Sequence, residues 1–275
     1  MKVISNFFLI LNFFYFFSCG EMKHVEELNV LFLSAGSGEP NTSHNGKINH
    51  HKLKPSFLRH NINIIYSSDL NSLNANTLPK YDVIIMYLSA ANEKPERISA
   101  LINYVENGGG LVALHNTSGA FGGDKDFVNL IGGEFDRHGS GIFKARIING
   151  KENHPALKGV AEFEVWDETY VHKNLNEDRI DLMVRDENGR QEPWAWVRSQ
   201  GKGRVFYSAY GHDGRVWENF DFQRLVTSAT IWASNKKVNI NLNIPDLTYT
   251  SDADNLLYNY EDRKTPQLIQ NKLSP

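Results

Sequence analysis

The stretch Gly108-Gly109-Gly110-Leu111-Val112-Ala113-Leu114-His115 decides the fold class of this 275-residue chain. The glycines end a helical segment, and the four apolar residues after them predict a strand that is buried on both faces. This pattern is typical of a strand-to-helix elbow, which holds one side chain exposed over the edge of a parallel sheet. His115 is therefore a candidate functional residue. The alternative is a histidine that only caps the following helix.

Apolar strands alternate with helical segments before this elbow. The predicted strands are Leu28–Leu33, Ile62–Tyr66 and Tyr81–Leu88, and the predicted helices are Lys47–His60 and Pro95–Val105. Such alternation indicates an α/β fold, with an open, mostly parallel sheet and helices on both faces. From Phe143 onward, short strands joined by turns predict a β-rich excursion, and a helix over Asp221–Ser234 closes it.

The N-terminus has the layout of an export signal. One lysine, an apolar run and small residues precede Cys19, the only cysteine of the chain. The run is shorter than the roughly 20 residues that a membrane-spanning helix needs. The stretch Phe16-Phe17-Ser18-Cys19-Gly20 resembles a bacterial lipobox, although Phe16 stands where leucine is usual. We therefore expect a signal peptide over residues 1–18 and an anchor and spacer over residues 19–27. A plain cleaved signal and an uncleaved anchor are the alternatives.

Composition and net charge limit the kinds of molecule that this chain can bind. Apolar residues make up 41% of the chain and charged residues 22%, which is ordinary for a globular domain. A net charge of −3 provides no basic field for nucleic acid. Together with the N-terminal signal and Cys19, this gives an expected location outside the cytoplasm, on the bacterial cell envelope (periplasmic or cell surface). The N-terminal lipid would be the only membrane contact.

Motifs spread along the chain carry a family resemblance. They are Gly-Gly-Gly-Leu-Val-x-Leu-His at the elbow, Gly-Gly-x-Phe-x-x-His ending at His138, Asp-Glu-x-Tyr from Asp167, Gly-Lys-Gly-Arg-Val-Phe-Tyr from Gly201, and Gly-His ending at His212. In this order they resemble the ThuA-like family, which is named for trehalose utilisation and has a class I glutamine amidotransferase-like fold. The resemblance assigns residues 28–237 to a ThuA-like domain and leaves residues 238–275 as a tail of unknown role.

The resemblance also implies a kind of chemistry. ThuA-like proteins keep the amidotransferase sheet without its nucleophilic cysteine, and this chain agrees, because His115 stands at the elbow. Amidotransferase activity is therefore excluded. The family is linked to the catabolism of sugars oxidised at carbon 3, although its reaction is not uniform.

Four residues are the predicted catalytic groups: His115, His138, Glu168 and His212. Neutral imidazoles near pH 7 suit general acid–base work. Because adjacent strand residues point to opposite faces, only one carboxylate of the pair Asp167-Glu168 enters a given pocket, and Glu168 is preferred. The alternative is that both carboxylates are solvated strand charges.

Zinc is a possible cofactor. The same three histidines, with Glu168, would make the pattern of a catalytic zinc site with protein ligands. Their spacing contains no local metal motif, so the sequence leaves the identity of any metal ligands open.

A second group of residues is predicted to bind a sugar or glycoside. Trp194 and Trp196 alternate on a strand and would stack on a sugar ring, with core packing as the alternative. Arg204 lies within a strand, and a buried arginine requires a carboxylate partner, which the Asp167-Glu168 pair could supply. It would then form a structural ion pair or clamp the substrate. The predicted substrate-binding set is Asp167, Tyr170, Trp194, Trp196 and Arg204.

The leading hypothesis is an enzyme that acts on a 3-keto sugar or glycoside as an isomerase, lyase or hydrolase. A ketone at carbon 3 makes the neighbouring C–H acidic, so that a histidine or glutamate can remove that proton. Two alternatives stay open: a non-catalytic carbohydrate-binding or assembly module, and a zinc-dependent hydrolase.

Overall fold

The computed structural model describes residues 27–35, 44–89 and 94–238. Cys19 and the signal-like segment before it lie outside these residues, and so does the tail from residue 239 onward. Within the described ranges, no helix has both the length and the apolar character needed to cross a membrane.

The described elements alternate as the sequence predicts in the first half of the chain. The strands are β1 (Leu28–Leu33), β2 (Ile62–Ser67), β3 (Val83–Met86), β4 (Gly110–Leu114), β5 (Glu134–Lys144), β6 (Arg146–Ile147), β7 (Glu164–Lys173), β8 (Ile180–Glu187), β9 (Arg190–Gln200) and β10 (Gly203–Ser208). The α-helices are α1 (Gly46–Arg59), α2 (Pro95–Glu106), α3 (Lys125–Ile131), α4 (Gly214–Glu218) and α5 (Phe220–Ala233).

Eight of these strands form one sheet in the order β2-β1-β3-β4-β10-β9-β8-β6. Neighbours from β2 to β10 run parallel, and β9, β8 and β6 extend the sheet with antiparallel pairs. The predicted open, mostly parallel sheet is confirmed. The β-rich excursion consists of this antiparallel extension and a separate ribbon, in which β5 pairs with β7.

The strand order also places the helices. The chain moves from β1 to β2 in one direction along the sheet and from β3 to β4 in the other. Because such crossovers are right-handed, α1 and α2 lie on opposite faces. Helices α4 and α5 pack with α1, and α3 packs with α2. The central strands are therefore covered on both sides, and all four residues of β3 are buried.

Three elements were not foreseen from the sequence: α3, β5 and the short helix α4. Helix α3 begins where the Asp124 side chain accepts hydrogen bonds from the backbone N–H groups of Asp126 and Phe127, and it ends at Gly132 in the left-handed conformation. Strand β5 follows directly. Its side chains are exposed or half-buried throughout, because the ribbon stands outside the main sheet. It therefore has no apolar alternation from which a strand could be predicted.

Candidate functional site

The site is built around His115, the first residue after β4. Its φ angle is +50°, a left-handed conformation that is uncommon for residues other than glycine. The histidine is fully buried, whereas the elbow pattern predicts an exposed side chain. The hydroxyl of Tyr207 donates a hydrogen bond to the His115 carbonyl oxygen at 2.9 Å, and the Ser118 hydroxyl donates to the same oxygen at 3.2 Å. These bonds hold the strained elbow, and strain of this kind concentrates at functional sites.

Strand β7 presents two side chains to His115. Glu168 Oε2 lies 3.3 Å from His115 Nε2, and the Tyr170 hydroxyl lies 3.1 Å from the same nitrogen. The Tyr170 ring also stacks on the His115 ring, with centroids 4.4 Å apart. Glu168 and Tyr170 are two residues apart on a strand and share a face. The structure thus brings both of them to the elbow.

Asp167 points away from that face and holds a different part of the site. Its carboxylate accepts hydrogen bonds from three successive backbone N–H groups, those of Gly211 at 2.9 Å, His212 at 3.0 Å and Asp213 at 3.1 Å. It is fully buried, and burial raises its pKa against the opposing effects of His115 and these N–H donors. Asp167 therefore fixes the loop after β10, which carries His212.

Gly211 allows this loop to pass close to the elbow. Its φ angle is +134°, and a Cβ atom here would lie 3.3 Å from the His115 Cβ. Its carbonyl oxygen accepts hydrogen bonds from the Tyr87 hydroxyl at 2.7 Å and from the Trp217 indole at 2.8 Å. The next residue, His212, is thereby held with its Nδ1 3.0 Å from Glu168 Oε1.

His44 is a member of the site that the sequence analysis missed. Its Nε2 lies 3.2 Å from His212 Nδ1, and its ring centroid lies 5.3 Å from that of His115. His44 precedes the start of α1, and that helix is tied to α4 because Lys52 Nζ donates to the Gly214 carbonyl at 3.1 Å. The sequence feature that could have identified His44 is its position just before Asn45, the N-cap of α1, at the sheet edge where β1 also ends.

Gly46 brings the first turn of α1 against β1. A Cβ atom at this position would lie 2.2 Å from the Ser34 Cβ, so any side chain would force the helix away from the strand. The close approach that Gly46 permits is what places His44 over the elbow.

Burial and proximity set the charges of the cluster. Burial, together with the charges of His115 and His212, lowers the pKa of His44 to about 4. Burial also lowers the pKa of His212, although Glu168 opposes this effect. Burial raises the pKa of Glu168, but its hydrogen bond to His115 and the neighbouring imidazoles outweigh burial, so that its pKa is lowered overall. At pH 7 the site thus holds neutral His44 and His212 side chains around an ionised carboxylate.

His138 lies on the open side of this cluster. It belongs to β5, where it stands opposite Tyr170. Its Nδ1 donates to the Gly139 carbonyl at 3.0 Å and lies 3.6 Å from Glu168 Oε1. The side chain is 43% exposed, so its Nε2 is free to meet a ligand.

The two predicted sugar-stacking tryptophans lie elsewhere. Trp194 and Trp196 have no exposed surface. The Trp196 indole donates to the Ile131 carbonyl at 2.8 Å, and its ring stacks on Tyr207 with centroids 4.2 Å apart. Both rings pack in the core, as the alternative reading proposed. The alternation of Trp194 and Trp196 along β9 could not distinguish core packing from sugar binding, because β9 is covered on both faces.

Arg204 does not pair with either of the carboxylates proposed for it, Asp167 and Glu168. It pairs with Gly110 at the start of β4, whereas His115 follows the end of that strand. Its guanidinium donates to the Trp232 carbonyl at 2.8 Å and lies over the Trp232 ring. The expected ion pair with Asp167 or Glu168 is thus incorrect. Arg204 is on the far end of the sheet from the site.

An exposed aromatic residue lies beside the cluster instead. Trp166 is 36% exposed and stands two residues before Glu168, so the two share a face of the ribbon. Its strand partner Ile142 is 70% exposed. The Arg215 guanidinium lies 5.1 Å from the Trp166 ring centroid. This apolar patch continues the site toward solvent.

Comparison with known proteins supports the fold and identifies a family. The family model described as "ThuA: Trehalose utilisation" matches residues 29–233. None of the curated proteins searched matches the chain. A ThuA-like protein from Bacteroides uniformis superposes with a TM-score of 0.64 at 20% identity, covering 76% of this chain and 92% of that one. A ThuA-like protein from Parabacteroides merdae superposes with a TM-score of 0.63 at 18% identity, and the match covers 80% of this chain and 94% of that one.

A beta-galactosidase from Rahnella shares the same architecture in part. Its TM-score is 0.57 at 15% identity, and the match covers 81% of this chain but only 33% of the galactosidase. At this identity the likeness concerns the fold alone.

Proposed function

Because the chain belongs to the ThuA family, we propose that it is a cell-envelope enzyme of carbohydrate catabolism that acts on a 3-keto sugar or glycoside by histidine–glutamate acid–base chemistry. Family membership supports the carbohydrate-related role. The observation that carries the catalytic proposal is the meeting of His115, His138 and His212 on one carboxylate, Glu168, with contacts of 3.0–3.6 Å.

Burial favours one of these histidines as the base. The His115 side chain is fully buried, whereas that of His138 is 43% exposed and that of His212 is 20% exposed. A base must come within hydrogen-bond reach of the proton that it removes. We therefore assign the proton abstraction to His138. His212, on the other side of Glu168, would then act as the acid or stabilise the enolate.

The reaction follows from the acidity next to a ketone. His138 takes the proton from carbon 2 of a 3-keto glycoside, and the electron pair of that C–H bond forms an enolate with the carbon 3 oxygen. The enolate then collapses and expels the glycosidic oxygen from carbon 1. This oxygen takes up a proton from the acid, and the product is an unsaturated ketone. Without a leaving group, reprotonation of the enolate gives isomerisation.

Trp166 would provide the sugar contact that the buried tryptophans cannot provide. An exposed indole packs on the apolar face of a sugar ring, and this one stands two residues before Glu168 on the same face of the strand. Arg215, next to the ring, would donate hydrogen bonds to hydroxyl groups. The sugar would then lie along the ribbon, with its reacting end between His138 and Glu168.

Substitution of His138 tests the proposed reaction. His138→Ala should lower kcat/KM on a 3-keto-glucoside by about 10²–10⁴-fold, because a general base contributes this much. Steady-state assays on 3-keto-glucosides would measure the loss. His154→Ala, outside the site, is the matched control and should keep its activity. Turnover that is undiminished in both His138→Ala and His115→Ala would exclude acid–base catalysis here and favour a non-catalytic carbohydrate-binding or assembly module.

The proposed location depends on Cys19. We expect cleavage before this residue and a diacylated cysteine at the mature N-terminus, which with a further acyl chain is sufficient for stable anchoring. Mass spectrometry of the protein from its bacterial membrane fraction would measure the modification. The Cys19→Ser variant should then be released from that fraction. An unmodified Cys19 in the mature chain would contradict the proposal.

A further inference from the structure

When hydrogen-bond donors and acceptors are assigned to the cluster, one contact of His115 stays unexplained. His115 Nδ1 lies 2.8 Å from the Ala209 carbonyl oxygen, which can only accept, so this nitrogen carries the ring proton of a neutral imidazole. His115 Nε2 then presents a lone pair. The Tyr170 hydroxyl donates to it at 3.1 Å, yet Glu168 Oε2 also faces it, at 3.3 Å. With a neutral His115 these two acceptors would repel at this distance, so a cation must lie near both: a second proton on Nε2, which would give the hydrogen bond to Glu168, or a metal ion.

The same conflict arises at His212. Its Nδ1 lies 3.0 Å from Glu168 Oε1 and 3.2 Å from His44 Nε2. If Nδ1 carries a proton, a single N–H group faces two acceptors and cannot serve both at full strength. If it does not, its lone pair faces the carboxylate. In either case, hydrogen bonding alone does not account for the approach of the four side chains.

The distances fit ligands around one ion. One ligand atom from each of His44, His115, Glu168 and His212 can be chosen so that all four lie within 4.8 Å of one another. Nitrogen and oxygen ligands at about 2.0–2.1 Å from a tetrahedral zinc ion are separated by roughly 3.3–3.4 Å. The contacts of 3.2 Å between His44 and His212, 3.0 Å between His212 and Glu168 Oε1, and 3.3 Å between His115 and Glu168 Oε2 are close to this separation, the last two involving different carboxylate oxygens. The widest pair lies within 4.8 Å and would have to close by up to about 1.4 Å to fit this geometry.

The surroundings of His115 also match those of a metal ligand. Histidines that bind metals usually donate their other ring N–H to a backbone carbonyl or a carboxylate, which fixes the tautomer and the ring orientation. The bond from Nδ1 to the Ala209 carbonyl does this here. His212 is fixed differently, because Asp167 accepts a hydrogen bond from its backbone N–H at 3.0 Å rather than from its ring.

We propose that His44, His115, Glu168 and His212 bind one divalent transition-metal ion, with zinc as the preferred occupant. Three imidazoles and one carboxylate favour zinc and similar ions over magnesium or calcium, which prefer sites made of oxygen ligands. Glu168 and His212 are partly exposed, at 12% and 20%. A fifth ligand from a substrate would enter on that side.

The catalytic consequence rests on the function proposed above. A bound ion would polarise the carbon 3 carbonyl oxygen and stabilise the enolate. His44, His115 and His212 would then be ligands with no lone pair left for a proton. His138 is the remaining histidine beside Glu168, and it keeps its free Nε2. His138 is therefore again the base and, once protonated, would replace His212 as the acid for the leaving oxygen, while the ion would take over the stabilisation of the enolate.

Zinc binding by the purified full-length chain tests the site without any substrate. The chain should be stripped with a chelator, and Zn²⁺ alone should then be titrated calorimetrically. We expect one ion per chain, and we expect His44→Ala to weaken binding by at least about 100-fold, since even supporting residues of metal sites contribute 10–100-fold. His154→Ala, a histidine outside the site, is the matched control and should bind zinc within about threefold of the original chain.

Two readouts keep misfolding apart from ligand loss. Circular dichroism should show that His44→Ala is folded, and Co²⁺ should give the visible absorption of a tetrahedral site in the original chain and lose it in the variant. Failure to bind zinc, or equal binding by the original chain, His44→Ala and His115→Ala, would overturn the metal site. Turnover that survives chelation would then leave the proposed function intact. Zinc binding without turnover of 3-keto-glucosides would overturn the function and leave the metal site.

Discussion

Glu168→Gln is expected to lower kcat/KM on a 3-keto-glucoside by about 10³-fold, or roughly 4 kcal/mol of transition-state stabilisation. The carboxylate approaches three imidazoles: those of His212 at 3.0 Å, His115 at 3.3 Å and His138 at 3.6 Å. Glutamine has almost the same shape but no charge, so the imidazolium that forms when His138 takes the substrate proton loses its neighbouring carboxylate. Steady-state kinetics on the purified chain would measure the effect.

The matched control is on the same strand. Glu164 belongs to β7, is exposed, and stands opposite Lys144 rather than opposite the site. Glu164→Gln should leave kcat/KM within about twofold, because an exposed charge of this kind contributes little. If Glu168→Gln were folded and as active as this control, the carboxylate would have no part in the chemistry.

Asp167→Ala is expected to reduce the free energy of unfolding by about 3–5 kcal/mol. The substitution leaves the backbone N–H groups of Gly211, His212 and Asp213 without their acceptor, and each unsatisfied buried donor costs about 1–3 kcal/mol. Release of a buried carboxylate offsets part of the sum. In a domain of this size the change corresponds to a fall in Tm of roughly 10 °C. Thermal and denaturant unfolding would measure it.

Two further variants define the cause of this loss. Asp186→Ala removes an exposed carboxylate of β8 that lies 3.4 Å from Arg146, and it should change stability by less than about 1 kcal/mol. Asp167→Asn keeps one acceptor oxygen, so its loss of stability should lie between those of Asp167→Ala and Asp186→Ala. A loss in Asp167→Ala no larger than that in Asp186→Ala would show that the loop holds itself in place without Asp167.

Several features of the site could be predicted because they depend on residues close together in the chain. The glycines and apolar residues before His115 identify a strand-to-helix elbow, and ligands of parallel sheets lie at that edge. The two-residue period of a strand separates Asp167 from Glu168. It does not say what each one contacts, so the sequence preferred Glu168 for a pocket but could not assign Asp167 to three backbone N–H groups.

Other features could not be predicted, because they depend on contacts between distant segments. Trp194 and Trp196 resemble a sugar platform until the structure shows Trp194 packed on Phe143 of the ribbon and Trp196 on His172 of the ribbon and the end of α3. Trp166, which is exposed, looks no different from them in the sequence. Arg204 was paired with the wrong partner, because its strand position says nothing about which end of the sheet holds the carboxylates.

The local pattern of the chain thus determines the α/β class, the elbow and the absence of a cysteine nucleophile at it, because backbone geometry and side-chain period act over a few residues. Only the tertiary structure decides which histidines meet. His44 and His212 are brought within 3.2 Å by the packing of α1 against α4, where Lys52 contacts Gly214. No spacing in the sequence records that approach, since it results from burial of the helix faces on a common sheet.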